Sequence, residues 1–255
     1  MKIRFLLAAA AAVSCAVGAA PASGQSAAAG LFAEGNDQYR AGEYESARDT
    51  YLRIAAQGIR DSRLFYNLGN ACFKSSRLGE AIVWYERALR LQPRDRDILA
   101  NLRFARQVKR DREPPAEENP LARFAAAVYA FPTLDELAVA FAVTLLSVLV
   151  LACLPWLRPR SSRVPMPLLA ACVCSWAISA LFLSSRIHTH ESEKHAIVTV
   201  QEATARSGPG RDQTSVFVLH EGTKVRIDRD ENEWYLVRLS NGSGGWMPKA
   251  AVTGI

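Results

Sequence analysis

Two apolar runs constrain this chain more than any other feature. Leu137 to Leu157 carries no charge, and neither does Val164 to Ser185. At 1.5 Å per residue a helix of about 20 residues reaches roughly 30 Å, the thickness of a bilayer's hydrocarbon layer. A soluble helix that is apolar on every side needs a large globular body around it. No such body flanks these two neighbouring runs, so the sequence predicts membrane spans over 134–157 and 164–185. The stretch between them, PWLRPRSSRVP, holds Arg158, Arg160 and Arg163 and no acid. Short loops rich in Lys and Arg stay cytoplasmic, which makes 158–163 a cytoplasmic loop. Asp135 and Glu136, with no base beside them, agree at the far end of the first span. Beyond the second span the flank is mixed, with Arg186 against Glu191 and Glu193.

The N-terminus gives the same orientation. Lys2 and Arg4 precede an apolar stretch and an Ala20-Pro21-Ala22 cleavage site, the pattern of a secretory signal peptide over 1–24. The alternative, an uncleaved anchor, also keeps Lys2 and Arg4 inside and exports the chain from residue 25 onward. Cys15 makes a poor lipoprotein site, because Ala12 stands where a leucine normally leads that motif. Both polar segments, 25–133 and 186–255, are therefore expected outside the cytosol. Cys153, Cys172 and Cys174 fall in the spans, leaving Cys72 alone in an exported segment with no disulfide partner. Cys172 and Cys174, two positions apart on a helix, point in different directions and are read as packing residues.

Between 31 and 93 the sequence repeats with a period of 34. Gly35 returns as Gly69, Ala47 as Ala81 and Tyr51 as Tyr85, and Leu99 and Leu102 later repeat Phe65 and Leu68. Phe65, Leu68, Gly69, Ala81, Tyr85, Ala88 and Pro93 together resemble the tetratricopeptide signature. The first copy is looser, with Ile54 and Ile59 in place of the expected Ala and Pro. The small residues let two helices approach, the aromatic and leucine residues fill the space around them, and Pro93 stops the second helix. The pattern predicts an all-α domain over 29–112: repeats at about 28–61 and 62–95, then a closing helix over 95–110.

Such arrays normally stack three or more units, so something else is expected to cover the open face. The candidate is LARFAAAVYAF, 121–131, in the linker 113–133. It either lies on the membrane surface or docks on the last repeat. Thr133 and Glu136 form a capping box for the first span.

The tetratricopeptide resemblance implies a concave groove lined by the first helix of each repeat. By repeat position it places Phe32, Asn36, Tyr39, Arg40, Tyr66, Asn70, Phe73 and Lys74 there. Aromatic and basic residues together suit an extended peptide or a partner helix; core packing is the alternative for each aromatic. Asn36 and Asn67 fit the pattern that grips chaperone C-termini, but Phe32, Asp97 and Asn101 occupy its basic positions, which excludes that specificity. A net charge of +6 on an exported protein does not point to nucleic acid.

From Ala196 the composition turns to short β-rich runs: AIVTV, VFVL, TKVRIDRD, EWYLVRL and GGWMP. Within EWYLVRL, Tyr235, Val237 and Leu239 fall on one face and Trp234, Leu236 and Arg238 on the other. Five strands in about 60 residues make an all-β small barrel. Arg206-Ser207-Gly208-Pro209, Gly222, Trp234, Val237, Gly245 and Trp246 together resemble a bacterial SH3 domain over 196–255. That resemblance implies binding of peptides or cell-wall stem peptides without catalysis, with Trp234, Trp246 and Arg206 as the candidate ligand surface. Trp246 has filling the barrel core as an alternative.

His188, His190 and His195 match no metal-site spacing and are read as a solvated linker. No nucleophile–base pair, zinc motif or phosphate loop is present, so neither enzymatic activity nor a cofactor is expected. The order of parts resembles the E-type protein of the bacterial aerotolerance (Bat) operon. This resemblance implies a two-pass protein of the bacterial inner membrane with both domains periplasmic. It also implies partners: von Willebrand factor A-domain proteins and a MoxR-type ATPase system, in envelope-stress tolerance. The other reading is a sensor binding peptidoglycan through the SH3 domain.

Overall fold

The structure, a computed structural model, describes residues 22–111, 119–157, 166–192 and 194–255. Lys2, Arg4 and Cys15 of the leader, and Arg158, Arg160 and Arg163 of the basic loop, lie outside the described residues.

Helices α1 (Ala22–Arg40), α2 (Tyr44–Ala55), α3 (Ser62–Lys74), α4 (Leu78–Leu91) and α5 (Arg96–Val108) form two hairpins and a closing helix. Helix α1 begins inside the stretch assigned to the leader. The hairpins close where the small residues demand it. A Cβ added at Gly35 would lie 2.5 Å from the Tyr51 ring, and one at Gly69 would lie 2.6 Å from the Tyr85 ring. Ala47 and Ala81 are fully buried, and Tyr51, Tyr85, Leu64, Leu68 and Ile82 are the large side chains of this core. Asp61 and Asp95, 34 residues apart, cap α3 and α5; each carboxylate accepts from two amides of the first turn. An ion-pair network ties the hairpins together on one flank, joining Arg48 to Glu80 at 3.0 Å and Arg77 to Glu45 at 3.1 Å and Glu80 at 3.3 Å.

The next three helices belong to a separate unit: α6 (Pro120–Ala130), α7 (Leu134–Leu157) and α8 (Met166–Ser192). The capping box of α7 forms in both directions. The Thr133 amide donates to the Glu136 carboxylate at 2.9 Å, and the Glu136 amide donates to the Thr133 hydroxyl at 3.2 Å. Helices α7 and α8 pair through small polar and aromatic contacts: Thr144 meets Ser179 at 3.1 Å, and Phe141 lies 6.1 Å from Trp176. Both are long and apolar enough to cross a membrane. Val139, Val143, Leu146, Leu168, Ile178 and Leu181 remain exposed along them, unlike the residues of a soluble core helix.

The sequence reading places His188, His190 and His195 in a solvated linker, and the structure corrects this. Helix α8 continues beyond Ser185 to Ser192, and the first strand starts at Lys194, so His188 and His190 are helical and His195 is in a strand. Once a helix is nucleated, each added residue gains a backbone hydrogen bond, so a helix fixed by its apolar part extends readily into polar sequence.

The C-terminal strands are β1 (Lys194–Val198), β2 (Glu202–Arg206), β3 (Ser215–His220), β4 (Lys224–Glu231), β5 (Trp234–Arg238), β6 (Gly244–Pro248) and β7 (Val252–Gly254). They form one antiparallel sheet in the order β3-β2-β6-β5-β4-β1-β7. Seven strands replace the five expected. EATAR and VTG carry few bulky β-formers, yet both are paired. The end strands β3 and β7 send Leu219 and Val252 into one core with Val198, Val225, Val237 and Met247, so the sheet rolls on itself. Tyr235 and Leu239 pack against that core, as the alternation in EWYLVRL requires. Ala205 is small because Gly245 passes close by: a Cβ at Gly245 would lie 2.9 Å from that of Ala205.

Candidate functional site

The first helices of the two hairpins and the closing helix face a common hollow. One part, of about 290 Å³, is lined by Asn36, Tyr39, Arg40, Tyr51, Asn67 and Asn70. The adjoining part, of about 320 Å³, is lined by Tyr39, Tyr66, Asn70, Phe73, Lys74, Tyr85, Asn101 and Phe104. Seven of the eight groove residues expected from repeat position are among these. Phe32 is the exception: its ring lies 5.9 Å from that of Tyr51 and lines neither part.

Five lining residues are not among those eight: Tyr51 and Tyr85, read from sequence as repeat framework, Asn67 and Asn101, weighed only as positions of the chaperone-gripping pattern, and Phe104. Four of them build a unit that occurs twice. The Tyr51 hydroxyl donates to Asn36 Oδ1 at 2.8 Å, and Asn67 Nδ2 donates to the same oxygen at 3.0 Å. One repeat later the Tyr85 hydroxyl donates to Asn70 Oδ1 at 2.7 Å, and Asn101 Nδ2 donates to it at 2.9 Å. Asn101 Nδ2 also reaches the Tyr66 hydroxyl at 3.0 Å. Each oxygen thus takes two donors, which fixes the amide's orientation. Asn36 and Asn70 both line the hollow, and with their oxygens occupied their side-chain N–H groups remain as donors.

Burial is the main cause of the tyrosines' raised pKa values. It pushes Tyr51 up to about 12, and raises Tyr85 further still and Tyr39 to a lesser degree. All three stay neutral at physiological pH. Arg40 is paired with Asp37 and donates from Nε to the Asn36 carbonyl at 3.3 Å, so much of its charge is engaged. Lys74 brings the cationic character of the second part. The Cys72 thiol is fully buried behind this surface. Burial and the nearby Glu80 carboxylate push it up to about 12, which makes it a poor nucleophile. Among the described residues no cluster of His, Cys, Asp and Glu is arranged to hold a metal.

On the sheet, strand register brings the three candidate residues onto one face. Arg206 is opposite Trp246, Trp246 is opposite Leu236, and Trp234 is opposite Pro248. This face is the outer one, since Gly245 and Met247 stand opposite Val237 and Tyr235 on the core side. Trp246 is nonetheless only 8% exposed, whereas Trp234 is half-buried and offers more surface. Met247 belongs to the interior cluster, and Trp246, on the other face, is buried as well. Arg206 Nη1 is held by the Gln213 carbonyl at 2.7 Å.

A contact with no sequence signal lies at the β3–β4 turn. Asp111 accepts from the His220 amide at 2.7 Å and the Thr223 hydroxyl at 2.7 Å, and meets His220 Nδ1 at 2.6 Å. Burial alone would raise its pKa, but these partners together hold it below the usual carboxylate value.

No curated protein matches the chain. Residues 32–96 match the family model of the tetratricopeptide repeat, and residues 202–253 match that of the bacterial SH3 domain. The groove and the rolled sheet thus belong to a tetratricopeptide-repeat region and a bacterial SH3 domain, one on each side of the apolar helix pair in the sequence.

Proposed function

We propose that this chain is a non-enzymatic, membrane-anchored scaffold presenting two extracytoplasmic protein-interaction modules. The observation that carries the reading is the duplicated Tyr–Asn–Asn unit. It sets two amide donors one repeat apart in an aromatic hollow, suited to the carbonyls and side chains of an extended peptide. The buried Cys72, with its raised pKa, supports a non-catalytic role. The exposed apolar surfaces of α7 and α8 support membrane anchoring. The Asp111 contact, between a segment before the two spans and a turn after them, supports a pair of crossings that returns the chain to the same side. The arginines of 158–163 favour the extracytoplasmic side for both. The resemblance to the Bat E-type protein extends this reading to an aerotolerance or envelope-stress complex in a bacterial inner membrane, with von Willebrand factor A-domain proteins and a MoxR-type ATPase as partners.

Crosslinking and mass spectrometry on membranes carrying the native chain or the Asn36→Ala/Asn70→Ala double variant test the groove. Partners are expected to disappear from the variant while its helical melting persists. An unchanged set of partners counts against the reading. A reporter active only outside the cytosol, fused after Ile255, checks the topology and is expected to be active.

The shared outer face of Arg206, Trp234 and Trp246 favours a second reading, a sensor of peptidoglycan peptides. Co-sedimentation with isolated peptidoglycan, lost on Trp234→Ala, would establish it.

A further inference from the structure

Helix α6 carries an exposed apolar stripe that runs into its C-cap. Leu121, Phe124, Val128 and Phe131 are 72%, 68%, 54% and 72% exposed. Their spacing of three, four and three places them within one narrow arc of the helix. Exposure alone does not say what covers such a stripe, but the surroundings of α6 do.

The opposite flank of α6 is already engaged. Tyr129 projects roughly 120° around from the stripe at 3.6 residues per turn. Its ring lies 5.0 Å from that of Phe182, its hydroxyl meets Ser185 Oγ at 2.9 Å, and the Arg186 guanidinium sits 5.2 Å from its ring centre. Arg186 is the first charge after the apolar part of α8. Tyr129 is therefore held at the level where the second span leaves the hydrocarbon, the depth that aromatic belts occupy. The C-terminal end of α6 leads through Pro132 into the capping box of α7, whose Asp135 and Glu136 mark where the first span enters. Both spans thus register α6 at the same boundary.

We propose that α6 lies along the outer surface of the membrane, with the stripe of Leu121, Phe124, Val128 and Phe131 immersed among the acyl chains of that leaflet. The proposal rests on reading α7 and α8 as spans. It resolves the two roles open to 121–131 in favour of the lipid surface. An amphipathic helix of this kind binds through buried apolar area and needs no protein groove.

The test uses the full chain in phospholipid nanodiscs, with its native cysteines replaced and one spin label at Phe124→Cys, Val128→Cys, Ala126→Cys or Ile178→Cys. Ala126 is exposed on the side of α6 away from the stripe, and Ile178 is exposed on α8. Accessibility to oxygen and to a water-soluble nickel chelate is read by paramagnetic relaxation. The oxygen-to-nickel ratio at 124 and 128 is expected to exceed that at 126 several-fold and to approach that at 178. Equal ratios at 124, 126 and 128 beside an oxygen-rich 178 would overturn the proposal and leave the spans intact. Protection of 124 and 128 from both reagents would overturn it in favour of protein docking. A nickel-accessible 178 would overturn the membrane reading, and this proposal with it. All four positions are exposed, so the labels do not enter a packed core, and circular dichroism of each variant checks that the fold survives.

Discussion

The two hairpins of the repeat region solve one local problem with different residues. In each, the turn between helices needs a residue in the left-handed region: Gly42 at φ +83° in the first, Ser76 at φ +63° in the second. The hydrogen bonds around the two residues coincide. Gly42 and Ser76 donate to the carbonyls of Tyr39 and Phe73, and Glu43 and Arg77 donate to those of Gln38 and Cys72. The second helices end differently, α2 after 12 residues near a left-handed Gly58, and α4 after 14 residues before Pro93. What does not vary is the glycine under a tyrosine ring and the tyrosine's bond to an asparagine. The buried contact between helices sets the hairpin geometry, and the turns and ends adapt to it.

The sharpest way to break this comparison is at the glycines. Gly69→Ala forces a methyl group to 2.6 Å from Tyr85, and overpacking of this kind costs about 1–3 kcal/mol. Gly35→Ala makes the same clash with Tyr51, but among the described residues no repeat precedes it and the hairpin has more room to relax. Thermal unfolding and hydrogen exchange should show the larger loss for Gly69→Ala; the reverse order would mean that the first hairpin, not the second, holds the array together. A smaller effect, about 1 kcal/mol, is expected for Tyr85→Phe, which removes a donor from the Asn70 oxygen. Tyr51→Phe should cost no more than this in a urea titration.

Alkaline pH probes the same pair. A tyrosine whose folded pKa is raised contributes stability fully below its ordinary value of 10, and that contribution fades as the unfolded chain ionises above it. The repeat region should therefore lose stability from pH 10 up to about 12, where Tyr51 ionises, with Tyr85 following later. Absorbance of phenolate during the titration, rising cooperatively with loss of helix, is the expected signal. The smallest effect lies at the turns. Ser76→Gly relieves a left-handed serine and should stabilise by about 0.5–1 kcal/mol, whereas Gly42→Ser should destabilise by a similar amount.

The Gly–Ala–Tyr framework was legible because a period of 34 shows in apolar and small residues alike. The amide ladder was not, because Tyr51 and Tyr85 sit at positions that read as core, and their hydroxyls reach the groove only in three dimensions. A signal did exist: Asn36 and Asn67 return one period later as Asn70 and Asn101. A periodicity search over polar residues would have found it. β2 was missed for the opposite reason, since EATAR needs the small Ala205 beneath Gly245 and so lacks the bulky residues by which strands are recognised. The Asp111 contact joins residues 109 and 112 positions apart, with no pattern linking them. The two long apolar helices and the capping box were readable because length, charge and a four-residue motif are all local properties.

The one-residue interval between α8 and the sheet has a mechanical consequence. A single residue, Glu193, separates the helix end at Ser192 from β1, and β1 is hydrogen-bonded on one side to β4 and on the other to β7. A displacement of the helix end reaches, two residues later in the chain, a strand held by two rows of hydrogen bonds at once. Lengthening the helix by one residue would advance the point where it delivers the chain to the sheet by about 1.5 Å and turn it through about 100°.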